Sequence, residues 1–135
     1  AVKQAARAHG RDIGVYTVGV IVCRPTVKEA EEYHHHCVVE HADWSAVDNL
    51  LALRDITPST VTAEEFQLRR TEFAHGNSGL QIIGDPDCVA ARLIELSEAG
   101  LTGIAVSLVN FADELPYLRA EVLPRLERAG LRLPV

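Results

Sequence analysis

The order of apolar and polar positions between residues 80 and 110 predicts a strand, a helix and a second strand. Leu80–Ile83 is a short apolar run that stops at Gly84, as is typical of a strand buried on both faces. Asp85 then offers an N-cap oxygen, and Pro86 suits the first helical position, where its missing N–H costs nothing.

The helix that follows has one apolar face, because valine and leucine recur at helical spacing (Val89, Leu93 and Leu96). Gly100 ends this helix, and the apolar run Gly103–Val109 is the second strand. A helix this long between two strands makes them parallel. We therefore interpret the unit as a βαβ crossover.

Upstream of this unit, the pattern predicts another buried strand and several helices. Thr26 with Glu29, and Thr62 with Glu65, have the spacing of capping boxes at helix starts. The expected elements are a helix from Val2 to Gly10, a strand from Val15 to Val22, a helix from Val27 to about Ala42, a helical piece from Trp44 to Arg54 and a short helix ending near Phe73.

Downstream, an apolar stripe at helical spacing predicts one last helix. Asp113 is its expected N-cap and Gly130 its end, with Pro116 tolerated in the first turn. Pro124 lies inside the pattern and is expected to kink the helix, since proline has no N–H.

Three parallel strands are too few to close a sheet. A (β/α)8 barrel needs eight strands and about 250 residues, whereas this chain has 135 residues. The chain contains no methionine and opens inside a helical pattern with no N-cap before it, which favours a piece of a longer polypeptide. We predict the α/β class, with residues 1–135 as the C-terminal portion of a (β/α)8 TIM barrel containing about three parallel strands and their covering helices.

Charge and composition exclude several kinds of partner. The net charge is -6, and no basic stripe is available to meet phosphates, so we expect no nucleic acid. No apolar stretch approaches the roughly 18 residues of a membrane span, and the amino end lacks the apolar region of a signal peptide. The 3 cysteines are odd in number and widely spaced, which is typical of reduced thiols and a cytoplasmic location.

Three stretches of the chain carry a resemblance to a known family. The first is Gly-Asp-Pro-Asp-Cys-Val-Ala-Ala-Arg-Leu at 84–93, followed by Glu-Ala-Gly-Leu-Thr-Gly at 98–103. The second is Phe-Ala-Asp-Glu-Leu-Pro-Tyr-Leu at 111–118, and the third is His-Gly-Arg-Asp at 9–12 leading into Val-Ile-Val at 20–22. Together they resemble the bacterial-luciferase-like flavin-dependent monooxygenases, which include the alkanesulfonate monooxygenases.

This resemblance implies a barrel that binds reduced FMN, supplied by a separate flavin reductase, and uses O2 to oxidise a small organic substrate. A deazaflavin in place of FMN is an alternative that the resemblance leaves open. On the resemblance, the chain begins just before the sixth barrel strand, so most of the family's catalytic residues and its flavin-phosphate motif lie upstream. We therefore expect the chain to need the remainder of the barrel, or a homo-oligomer, for catalysis. The alternative is a non-catalytic α/β assembly module that has kept this framework.

Departures from the family bear on the substrate. Thr17 and Gly19 stand where the alkanesulfonate enzymes have an arginine and a histidine, and His75 stands where they have another arginine. The loss of two guanidinium groups removes the bidentate donors that suit a sulfonate. We expect an uncharged substrate, such as a ketone, a heterocycle or a sulfone.

Candidate site residues lie at the carboxyl ends of the strands, where parallel barrels place their chemistry. The resemblance assigns the pocket to one face of the first strand and places the glycine-rich loop His75–Gly79 over the flavin or the substrate. The alternatives are barrel filling, turn chemistry and a flexible connector. No catalytic residue is assigned, and the expected cofactor- or substrate-binding residues are Thr17, Gly19, His75, Gly76, Asn77, Ser107 and Asn110.

The histidine-rich stretch 34–41 is a candidate metal-binding cluster. On a continuous α-helix His34, Cys37 and His41 share a face. That face continues through Val27 and Ala30, which is the pattern of a packing stripe. We predict no metal site there.

Overall fold

The computed structural model describes residues 1–76 and 79–133. Three strands, β1 (Tyr16–Cys23), β2 (Leu80–Gly84) and β3 (Gly103–Ser107), form one parallel sheet. The helices are α1 (Val2–Ala8), α2 (Val27–His35), α3 (Trp44–Ala52), α4 (Ala63–Ala74), α5 (Pro86–Glu98), α6 (Phe111–Glu121) and α7 (Leu123–Arg128), and a π-helical turn (His36–Glu40) continues α2. No helix in the described ranges has the length and apolar character needed to cross a membrane.

The sheet has the strand order β2-β1-β3. Gly19–Cys23 of β1 pair with β2, and Tyr16–Val20 pair with β3. The parallel crossover predicted through α5 is confirmed, but β2 and β3 are separated by β1. Because β1 is the longest strand and carries Ile21 and Val22, which are 0% and 1% exposed, it is the strand best suited to the centre of the sheet.

One face of the sheet packs against the helices that follow β2. Ile21 and Ile82 from the sheet meet Val89 of α5 and Leu118 of α6 in a buried cluster. The apolar stripe of α5 thus faces the sheet, as the periodicity predicted. Asp85 caps α5 by accepting a hydrogen bond from the Cys88 N–H at 2.8 Å, so the predicted cap is confirmed.

The opposite face is covered by α2, which packs against β1 and β2. Since Ile82 faces α5, the next residue, Ile83, faces the other way, and it lines a cleft together with His34 of α2. Beyond α2, the helices α3 and α4 form a second small core from Val47, Leu51 and Phe73. Helices therefore lie on both faces of the sheet.

Part of the central strand lacks cover from the described residues. Tyr16 and Val18 are 70% and 56% exposed, although both belong to β1. They point to the same face as Val20, in the half of β1 that pairs with β3. Exposed apolar side chains on a parallel strand are typical of a surface that another element covers.

Four boundaries differ from the sequence-based expectation. α2 ends at His35 and continues as the π-helical turn instead of as an α-helix to Ala42. Asn110, not Asp113, caps α6, so Pro116 lies inside the helix and not in its first turn. The kink expected at Pro124 is a break at Val122, after which α7 begins with Pro124 in its first turn. β3 ends at Ser107 because the Val109 N–H donates to a side chain, Glu114, instead of to a neighbouring strand.

Candidate functional site

Arg24 and Glu114 form an ion pair at the carboxyl end of β1. The Arg24 Nη2 lies 2.7 Å from Glu114 Oε1, and the Glu114 side chain is 7% exposed. The other carboxylate oxygen accepts hydrogen bonds from the backbone N–H groups of Val109 and Asn110, at 3.0 and 3.2 Å. One carboxylate therefore joins the end of β1, the loop after β3 and the first turn of α6.

Tyr33 of α2 contacts the Arg24–Glu114 ion pair and forms a cluster with it. The Arg24 guanidinium stacks 3.7 Å from the centre of the Tyr33 ring and donates a hydrogen bond to the Cys23 carbonyl oxygen at 2.8 Å. Burial and then the neighbouring Glu114 raise the pKa of the Tyr33 hydroxyl to about 12. The phenol is thus neutral at physiological pH.

A concavity of about 370 Å³ opens beside this cluster and is lined by Cys23, Arg24, Pro25, Asp113, Glu114 and Tyr117. Because Glu114 neutralises Arg24 and Asp113 adds a second carboxylate, the lining has no excess of positive charge. Such a surface suits an uncharged ligand better than an anion.

Cys23 also lies at this end of the sheet, but its chemistry is that of a core residue. Its side chain is 5% exposed, and burial raises the pKa of the thiol to about 11. The reactive form of cysteine is the thiolate. The neutral Cys23 thiol is therefore a poor nucleophile in the folded protein.

Alkylation tests this assignment. Cys23 is buried, and at about pH 8 roughly one Cys23 thiol in a thousand is ionised. The hydrogen bond to Asp85 also raises the pKa of the Cys88 thiol, but because Cys88 is exposed it is expected to react with iodoacetamide before Cys23. Peptide mass spectrometry over a time course measures the order. In denaturant the difference is expected to disappear, and fast labelling of Cys23 in the native chain would contradict the buried-thiol assignment.

His75 meets His34 of α2 on the α2 face. Their ring centroids are 4.5 Å apart with an interplanar angle of 69°. Burial, and then the neighbouring His75, lower the pKa of His34, so this imidazole stays neutral at physiological pH. The pair borders an open cleft of about 430 Å³ lined by Glu31, His34, His35, Val39, Thr71, His75 and Ile83.

Gly76 brings the turn after α4 into contact with the central strand. Its φ is +116°, and a Cβ added there would overlap the Val20 Cγ2 methyl group. Ser107 is the register partner of Val20 and points to the same face. The structure therefore brings His75, Gly76 and Ser107 to one face of the sheet.

Thr17 and Gly19 point to the other face. A Cβ added to Gly19 would lie 2.5 Å from Ile104 Cδ1, beneath the layer formed by α5. By strand alternation Thr17 points the same way. The candidate residues are thus divided between two faces of the sheet, and Asn77 lies outside the described residues.

Asn110 forms the N-cap of α6. Its side-chain oxygen accepts hydrogen bonds from the Ala112 and Asp113 N–H groups at 3.1 and 3.4 Å, and its Nδ2 donates to Asp113 Oδ2 at 2.7 Å. The side chain is exposed and lies beside the Arg24–Glu114 pair in sequence and structure. Capping accounts for its conformation.

Two substitutions separate capping from ligand binding at Asn110. Asn110→Ala is expected to lower the free energy of unfolding by about 1 kcal/mol, because it leaves two helix N–H groups without their acceptor. Asn110→Ser keeps an acceptor and is expected to retain most of this stability. Urea unfolding measures both variants, and equal losses would contradict the capping role.

Three residues of these clusters were not predicted from the sequence. They are Glu114, Tyr33 and His34, the last as the contact of His75. Glu114 offered only a weak signal, a carboxylate in the first turn after a strand. Tyr33 and His34 occupy a helix whose packing partners are distant in the sequence. Their roles follow from the tertiary contacts alone.

Comparison with known proteins supports the fold but not a family. No protein-family model and no curated protein sequence matches this chain. Among solved structures, it is similar to DmoA from Hyphomicrobium sulfonivorans, with a TM-score of 0.78 and 15% sequence identity over 96% of this chain and 34% of that one. It is also similar to the riboflavin lyase RcaE, solved with modified FMN and its substrate riboflavin, with a TM-score of 0.74 and 20% identity over 96% of this chain and 35% of that one.

These similarities define the class of fold. The chain is α/β, with a three-stranded parallel sheet and covering helices, so the predicted fold class is confirmed. The chain spans about a third of the length of each of the two solved proteins. At these identities the likeness concerns the fold alone.

Proposed function

We propose that this chain is the C-terminal part of a luciferase-like, flavin-dependent monooxygenase that oxidises a small, uncharged organic substrate with O2. The observation that carries the proposal is the similarity over 96% of the chain to RcaE, whose structure contains a modified FMN. The three stretches at 9–22, 84–103 and 111–118 support it independently, because they resemble the framework of that family. Reduced flavin would come from a separate flavin reductase in the cytoplasm.

The cleft beside His34 and His75 is the proposed position of the flavin ring system. An isoalloxazine ring is planar and carries hydrogen-bond donors and acceptors, and the neutral His34 imidazole can serve as either. Val39 and Ile83 supply an apolar part of the lining. When bound, the flavin would supply electrons to O2, while these residues would hold and orient its ring and exclude water.

The flavin phosphate needs cations that this cleft does not supply. Its lining contains Glu31, and Arg24 at the end of β1 is already paired with Glu114. The phosphate would therefore be bound by residues of the remaining barrel, as the resemblance implies. A deazaflavin would meet the same ring-binding residues.

The uncovered part of β1 supports a partner that supplies further strands. Tyr16 and Val18 together present an apolar surface on the amino half of β1, where this strand pairs with β3. Further parallel strands, from the remainder of the barrel or from a second copy of this chain, would cover that surface and continue the sheet.

Flavin titration tests the proposal. The chain, together with the remainder of its barrel, is titrated with FMN, oxidised or reduced under anaerobic conditions, and with a deazaflavin, while flavin fluorescence and absorbance are recorded. Saturable binding is expected, and His75→Ala should weaken it about tenfold, since a hydrogen bond inside a binding cleft contributes about 1–2 kcal/mol. His9→Ala, at the end of α1 and away from the sheet face, is the matched control.

Binding that is unchanged by His75→Ala would place the flavin elsewhere. A lack of saturable binding by the chain together with its remaining barrel would overturn the proposal. Self-association without flavin binding would instead favour the assembly module. For the substrate, the assembled barrel is expected to oxidise a neutral ketone or sulfone, and turnover of an alkanesulfonate at rates typical of an enzyme would refute the uncharged-substrate proposal.

A further inference from the structure

The π-helical turn after α2 changes which histidines lie together. In an α-helix, residues five apart are separated by about 140° around the axis and point to different sides. Here the His41 N–H donates to the His36 carbonyl oxygen at 3.1 Å, an i→i+5 bond, and the two imidazole rings lie 4.3 Å apart at 67°. The wider turn therefore places His36 and His41 on one side, with their rings edge to face.

A carboxylate completes this cluster. Glu40 Oε2 lies 2.9 Å from His36 Nδ1, and one ligand atom from each of His36, Glu40 and His41 lies within 4.8 Å of the other two. Two imidazoles and one carboxylate are a donor set that zinc and other divalent transition metals bind in proteins. Metal–ligand distances in such sites are roughly 2.0–2.2 Å, so the three side chains would close around a bound ion.

We propose that His36, Glu40 and His41 form a binding site for a divalent transition metal such as Zn²⁺. The three side chains are exposed, so a metal reaches them without any rearrangement of the core. Three protein ligands leave a fourth position for water or another ligand. His35 lies 3.8 Å from the second oxygen of Glu40 and can orient the carboxylate from outside the site.

This site differs from the cluster that α-helical periodicity indicates. A continuous α-helix would align His34, Cys37 and His41. In the structure, the His34 ring instead contacts His75 on the side of α2 that faces the sheet. The sequence pattern predicted no metal site in the stretch 34–41. The proposed site departs from that prediction, because it uses a different set of residues that the π-helical turn brings together. The proposal rests on the π-helical geometry and does not depend on the proposed flavin chemistry.

Calorimetric titration with zinc chloride tests the site in the full chain. One equivalent of Zn²⁺ is expected to bind saturably, and His36→Ala and His41→Ala are each expected to weaken binding at least tenfold. Glu40→Gln keeps the shape of the side chain but removes the anionic ligand, and should also weaken binding. His34→Ala on the same helix and His9→Ala on α1 are matched controls that should bind zinc like the unmodified chain.

Cobalt(II) provides a second readout. Its spectrum is expected to show nitrogen and oxygen coordination without the charge-transfer band of a bound thiolate. Such a band, together with loss of binding in Cys37→Ala or His34→Ala but not in His36→Ala, would overturn the proposal in favour of the α-helical set. Absence of saturable zinc binding would overturn it outright, and because the ligands are exposed, circular dichroism is expected to confirm that each variant remains folded.

Discussion

Replacement of Glu114 by glutamine is expected to lower the free energy of unfolding by about 2–4 kcal/mol. The substitution leaves Arg24 with its charge in a partly buried position, since the arginine side chain is 22% exposed and its partner only 7%. It also weakens the acceptor for the Val109 and Asn110 N–H groups, because a neutral amide accepts less strongly than a carboxylate. The partial exposure of Arg24 keeps the expected loss below that of a fully buried pair.

Urea unfolding of Glu114→Gln and a matched control measures this loss. Glu98→Gln, at the exposed end of α5, makes the same chemical change without a buried partner and should alter stability by less than about 0.5 kcal/mol. Arg24→Met in combination with Glu114→Gln is expected to recover part of the loss, because the unpaired charge is then gone. Equal stabilities of the two single glutamine variants would contradict a structural role for the ion pair.

The elements that could be predicted from sequence are those fixed by local chemistry. Asp85 caps α5, and Thr26 and Thr62 cap α2 and α4, through hydrogen bonds to N–H groups three residues away. Each cap depends on a few adjacent residues, so its signal is present in a short stretch. The three strands are likewise marked by their own apolar runs.

The order of the strands could not be predicted in the same way. It depends on which strands pair, and pairing joins Val20 of β1 to Gln81 on one side and Ser107 on the other. The predicted length of the helix after Thr26 is wrong for a different reason. Apolar periodicity indicated a packing stripe through Val27 and Ala30, and Ala30 is buried, but Val27 is 38% exposed and the stripe does not continue as an α-helix to His41. The backbone bond from His41 to His36 decides between an α-helix and a π-helical turn.

In the candidate site, too, the features set by a short stretch of sequence could be predicted, and those set by tertiary contacts could not. The glycine-rich pattern after α4 correctly drew attention to a turn, and the turn does lie over the sheet at Gly76. Its histidine neighbour, His34, comes from α2 and could not be inferred from the pattern. Thr17 and Gly19 were assigned by resemblance to the same pocket as the loop, but they point to the face covered by α5. Whether they contact a flavin in the complete barrel stays a prediction.

Substitution of Gly76 by alanine is expected to destabilise the folded chain by about 3 kcal/mol. Part of this cost is the backbone, since a φ of +116° is a conformation that residues with a side chain rarely adopt. The rest is the overlap between the new methyl group and Val20 Cγ2, which forces the turn away from β1. The displaced turn would carry His75 away from His34.

A matched glycine separates these two costs. Gly10 also has a positive φ, +69°, but no atom lies within 4 Å of a Cβ added there. Gly10→Ala should therefore carry the backbone cost alone, about 1 kcal/mol. The double variant Val20→Ala with Gly76→Ala is expected to relieve the overlap, so the coupling energy in a double-mutant cycle should exceed about 1 kcal/mol.

Titration of the histidines by NMR gives a readout beyond stability. Burial and the neighbouring His75 lower the pKa of His34 in the native chain, so displacement of the turn by Gly76→Ala should raise that pKa toward its ordinary value. Gly10→Ala should leave the pKa of His34 unchanged, because α1 does not contact this pair. If the two variants lose equal stability and His34 titrates identically in both, the turn does not pack on β1, and the cleft proposed for the flavin ring loses the residue that borders it.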